Sequence, residues 1–112
     1  MITEDYVSFE TAKLLKEKGF EGFTLFSYSN KGSTMCGHWE NEIDWLPKCT
    51  LQMAMKWLRE VYKLHIEPHI QTYKNYNGNI YNLDGELLLG FTGESPEQAC
   101  EVAIKYCLKH LI

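Results

Sequence analysis

SPEQACEVAIKYCLKHLI, residues Ser95 to Ile112, decides the fold class of this chain. Ser95 carries a hydroxyl that can accept from an orphaned backbone N–H, Pro96 suits the first helical position, and Gln98 stands where a capping box is completed. Beyond that start, Ala99, Val102, Ala103 and Tyr106 make one apolar stripe and Cys100, Ile104, Cys107 and Leu111 a second. Glu101, Lys105 and Lys109 are left for water. A helix with two apolar stripes needs two partners. The plain reading supplies a sheet and a neighbouring helix; a homodimer through this last helix is the alternative.

Two more segments open in the same way. Ser8 and Thr50, like Ser95, sit four residues ahead of an alanine, Ala12 and Ala54 against Ala99, that begins an apolar run. The first helix is expected from Phe9 to Lys18, with Gly19 closing it. The second is expected from Leu51 to Leu64, with Leu51, Ala54, Leu58 and Val61 on one stripe and Met53, Trp57 and Leu64 beside it. Its wide apolar arc predicts that it is the central helix.

The intervals between the helices read as hairpins. Phe23 to Ser29 predicts a strand, Asn30 to Ser33 a turn and Thr34 to Glu40 the return strand, with Asn41 to Lys48 an irregular connection. His65 to Lys74 predicts a strand placed by Pro68 at an edge or a bulge. Asn75 to Asn79 predicts a turn centred on Asn77 and Gly78, and Asp84 and Gly85 a second turn before Glu86 to Phe91. The expectation is one α+β domain over residues 1–112 in two layers, of order α-β-β-α-β-β-(β)-α. In it, an antiparallel sheet of four or five strands packs against about three helices.

Composition narrows the function classes. The 112 residues are 45% hydrophobic and 13% aromatic, which argues against disorder, and a net charge of −4 without any Lys or Arg cluster disfavours nucleic acid. Lys56, Arg59 and Lys63 form a cationic row on the second helix, the basis of a weaker reading as a nucleic-acid-binding regulator. No apolar run has the length of a membrane span, and the acidic start is unlike a secretory leader, so a cytoplasmic protein without membrane attachment is expected. Cys36, Cys49, Cys100 and Cys107 fit neither a disulfide scaffold nor paired zinc knuckles, which predicts free thiols.

Three constellations could carry chemistry. Cys36 and His38 share one face of a strand, and Cys49 follows, so the three could begin a zinc site completed by His65 or His69, or Cys36 could act as a nucleophile beside His38. That is the alternative reading, a small metal-binding protein or enzyme. Glu40, Glu42 and Asp44 alternate as a carboxylate row that reads as a solvated acidic loop. Tyr73, Tyr76 and Tyr81 lie among Asn75, Asn77, Asn79 and Asn82, a mixture suited to adaptable protein contacts, with Tyr73, Tyr76, Tyr81 and Asn77 as candidate binding residues. No motif calls for a cofactor. The leading expectation is a non-enzymatic interaction module with an unidentified protein partner.

The wording of the helices, SFETAKLLKEKGF at Ser8 to Phe20, TLQMAMKWLREV at Thr50 to Val61 and EQACEVAIKYCLKHLI at Glu97 to Ile112, resembles a group of small proteins of Bacteroides and related gut bacteria. Members often stand in phage-like or mobile genetic contexts. The resemblance implies a bacterial, intracellular, phage-associated protein and brings no activity, cofactor or catalytic residue.

Overall fold

A computed structural model describes residues 5–22, 24–37, 45–72 and 75–112. The elements run α1 (Phe9–Glu17), β1 (Phe26–Tyr28), β2 (Thr34–Cys36), β3 (Leu46–Pro47), α2 (Leu51–Tyr62), β4 (His65–Thr72), β5 (Asn75–Tyr81), β6 (Leu87–Gly93) and α3 (Pro96–Tyr106). A π-helical turn, Cys107–Leu111, extends α3. All three helices start where local chemistry places them. The hydroxyl oxygens of Ser8, Thr50 and Ser95 accept from the backbone N–H of Thr11, Met53 and Gln98 at 3.3, 3.1 and 3.1 Å. Gln98 reaches back one residue further than a standard capping box, its Oε1 accepting from the Glu94 N–H at 2.6 Å.

The strands form two three-stranded antiparallel sheets, ordered β2-β1-β3 and β4-β5-β6, rather than one sheet of four or five strands. The reason lies in the segment read as irregular. Leu46 and Pro47 pair with Tyr28 and Ser27, so β1 has a strand on each side and the short first hairpin completes its own sheet. The second sheet is the expected meander, but its first turn is not where Asn77 and Gly78 would put it. Asn75–Tyr81 is continuous strand, with Gly78 opposite Pro68 on one side and Phe91 on the other. A Cβ at Gly78 would lie 2.2 Å from the Phe91 ring and 2.6 Å from the Glu67 carbonyl oxygen, so this glycine serves close packing and not a reversal. The Asp84–Gly85 turn is as expected: the Asn82 carboxamide oxygen accepts from the N–H groups of Asp84 and Glu86 at 2.9 Å each.

The central helix is α3, not α2. Along α2 only Leu51, Ala54 and Leu58 are buried, while Met53 and Val61 are exposed. Along α3 and its extension Ala99, Cys100, Ala103, Ile104, Cys107 and Leu108 are all buried, and the helix touches β4, β5, β6, α1 and α2. Most of both apolar stripes is thus covered within the chain by the second sheet and the other helices, while Val102 stays exposed. Gly93 makes the close approach: a Cβ there would sit 2.6 Å from the Ala99 backbone nitrogen. The first helix is drawn in by α3. Glu101, expected in water, turns its Oε1 to the Ser8 N–H at 3.0 Å and the Thr11 hydroxyl at 2.6 Å, and Lys105 and Lys109 reach Glu10 at 3.0 and 3.3 Å. A second tie aligns α1 with α2, since the Val7 N–H donates to the Cys49 carbonyl at 2.9 Å and the Leu51 N–H to the Asp5 carbonyl at 3.0 Å.

Two substitutions probe this packing in opposite directions. Gly93→Ala should lose about 1–3 kcal/mol, because the methyl meets helix backbone that cannot move aside. Lys63→Gly should gain about 0.5–1 kcal/mol, because Lys63 ends α2 in the left-handed region at φ 59°. Urea midpoints that shift down and up by these amounts with unchanged m-values are expected; no loss for Gly93→Ala would contradict the close contact.

Candidate functional site

Strand alternation divides the second sheet into two chemically different faces. Ile66, Ile80 and Phe91 are buried toward α3, with Tyr76 and Leu89 packed beside them. On the other face stand His65, Glu67 and Thr92, which are exposed, and Asn77, Asn79 and Tyr81, which are half-buried. Cross-strand pairing sets these residues in rows: His65 opposite Tyr81 and Leu87, Glu67 opposite Asn79 and Gly90. Asn79 donates from Nδ2 to the Tyr81 hydroxyl at 3.0 Å, which holds the half-exposed ring and carboxamide in one arrangement. Gly90 leaves open space beside Asn79, whose Oδ1 is the nearest atom a Cβ at Gly90 would meet, at 3.6 Å. The result is a shallow polar platform with one aromatic ring.

The tyrosines singled out in the sequence do not gather around one tip. Tyr76 faces the core side and Tyr81 the outer side, at opposite ends of β5. Asn77 shares the outer face with Tyr81, and Tyr73 lies outside the described residues. Asn79, which donates to Tyr81 directly, stood in the sequence only as one of the surrounding asparagines and not as a candidate binding residue.

The thiol and imidazole candidates are only partly placed. Cys36 ends β2 and is exposed, Cys49 is buried just before α2, and His38 lies outside the described residues, as does the row Glu40, Glu42 and Asp44. Among the described residues no group of three His, Cys, Asp or Glu side chains could hold a metal ion. Burial pushes the Cys49 thiol up to about 12, with the Glu101 carboxylate adding to the rise, and burial likewise pushes Cys107 up to about 12. Cys100 is raised for the same reason. These three are packing groups that hold their protons at neutral pH.

A surface cleft of about 460 Å³ runs along α2 beside the start of β4. Met53, Met55 and Ile66 give it an apolar floor and Lys56 and Arg59 stand at its wall. Of the cationic row, Lys56 and Arg59 line this cleft, and the Lys63 Nζ donates to the Glu60 carbonyl at 2.9 Å. No helix among the described residues is long and apolar enough to cross a membrane.

Comparison of the chain with protein-family models, with curated proteins and with solved structures finds no match.

Thiol chemistry checks this assignment of the cysteines. In the folded protein Cys36 should react with a disulfide reagent in a fast phase that Cys36→Ser removes, and Cys49, Cys100 and Cys107 should react only as the chain unfolds. Folding raises Cys49 and Cys107 above the ordinary 9.0, so their contribution to stability is whole below about pH 9 and is lost as pH rises toward about 12. Urea midpoints falling across that window are expected. Fast reaction of all four thiols would contradict the burial.

Proposed function

We infer that this chain is a non-enzymatic protein-interaction module whose working surface is the outer face of β4-β5-β6. The observation that supports it is the Asn79–Tyr81 pair, an aromatic ring and a carboxamide joined by a hydrogen bond on the face that also carries the exposed His65, Glu67 and Thr92. A tyrosine held by a neighbour presents a large amphipathic contact at low entropy cost, and carboxamides and hydroxyls beside it satisfy a partner's backbone groups. His65, Glu67 and Thr92 are exposed around it as a polar rim. Chemistry at the described cysteines is a weaker reading, because three of the four thiols are buried in their protonated form. The bacterial, phage-associated setting implied by the helix wording directs the search for the partner.

The test compares capture from bacterial lysate by the wild-type chain and by Asn79→Lys/Tyr81→Glu, two changes on the outer face that spare the core. The reading expects a protein retained by the wild type and lost at least tenfold by the variant at unchanged helical circular dichroism. Equal retention by both would overturn it.

A further inference from the structure

The cleft along α2 joins an apolar floor to two cations, and the outer face of the sheet does not account for it. Met53, 37% exposed, shares the floor with the half-buried Met55 and the buried Ile66 of β4, and no acidic side chain lines the cleft. Lys56 and Arg59 stand three residues apart on α2, which puts them on one face with Cβ atoms about 5–6 Å apart. Other cations are engaged within the chain. Lys105 and Lys109 pair with Glu10, Lys48 lies over the rings of Tyr6 and Tyr28, and Lys63 donates to the Glu60 carbonyl. Lys56 and Arg59 make no ion pair among the described residues, even though Glu60 stands one turn on from Lys56.

We propose that this cleft docks an acidic amphipathic peptide segment of a partner protein, with apolar side chains on Met53, Met55 and Ile66 and carboxylates on Lys56 and Arg59. Charge complementarity sets the sign of the partner. Two cations without a counter-charge flank an apolar floor, and two acidic residues one helical turn apart in a peptide have the same spacing as the pair. Methionine suits such a floor, because its unbranched thioether re-packs around side chains of different shape. The opening decides the class of ligand. About 460 Å³ is within the range of small-molecule pockets, but those enclose most of their ligand, whereas this cleft lies open along the helix and fits a segment laid into it. The lining has no aromatic ring for a base to stack on, and the chain is net negative, so nucleic acid is the poorer fit. The cleft is also separate from the outer face. Ile66 points to the core side of β4, its neighbours His65 and Glu67 point to the other, and neither Asn79 nor Tyr81 lines the cleft.

A random dodecapeptide library displayed on phage tests this, selected on the full chain and depleted on the Lys56→Glu/Arg59→Glu variant. Surviving sequences should be rich in Asp and Glu interleaved with Leu, Ile, Met or Phe, and a fluorescein-labelled survivor should bind more weakly as salt rises. Met53→Glu, which suits the first turn of α2 but sets a carboxylate on the floor, should weaken that peptide about tenfold or more. The charge-reversed variant should instead take up a peptide with Lys at each acidic position, a gain that an unfolded chain cannot supply. Asn79→Lys/Tyr81→Glu should bind the acidic peptide as the wild type does, so this site and the outer face fail separately. Survivors without acidic residues, no survivors, or equal binding by Met53→Glu would overturn the proposal. Displacement of the peptide by an equal concentration of sodium decanoate would also overturn it, by making the cleft a site for a small anionic amphiphile.

Discussion

The contact between Gly93 and Ala99 is the constraint on which the rest of the structure depends. Because the strand has no side chain at that point, the helix backbone comes down onto the sheet and its small residues Ala99 and Ala103 bring Ile104 and Leu108 into the core. Once α3 is seated, its far side collects α1. The Glu101 carboxylate accepts from the Ser8 N–H and the Thr11 hydroxyl and so serves the amino-terminal end of α1 from another element. Hydrogen bonds to a charged group of this kind are worth about 1.5–3 kcal/mol. Outside them, Glu10 is held below the usual carboxylate range by its hydrogen bonds to Lys105 and Lys109.

Local chemistry made much of the fold legible. The three hydroxyl caps and the Asn82 turn each depend on side-chain and backbone groups within four residues, and such interactions are written in short stretches of sequence. What was not legible depended on distant partners. Asn77–Gly78 carries the usual chemistry of a hairpin turn, yet Gly78 is there because Phe91 and the Glu67 carbonyl occupy the space of a side chain. Leu46 and Pro47 are too few to show a period, and only pairing with β1 makes them a strand. Glu101 sits on the polar side of α3 by helical phase; that α1 covers this side is a tertiary fact.

The same distinction applies to the working surfaces. Tyr81 and Asn77 were legible as residues suited to contact, but their grouping was set by strand alternation, which sends Tyr76 to the other face. Cys49 looked like a ligand by spacing, and its surroundings make it a buried thiol. Asn79 gains meaning only from the order of strands in the sheet. One face of the meander is committed to α3, while His65, Glu67 and Thr92 on the other face stay exposed.

Native-state hydrogen exchange, read amide by amide, tests the organising role of α3 most directly. If α3 holds the two halves together, the amides of Ala103, Ile104 and Cys107 exchange as slowly as that of Ile80 in β5, and all of them at the free energy of global unfolding. Exchange of α3 well ahead of a still-protected β4-β5-β6 sheet would show that the meander stands without the helix and would contradict the account.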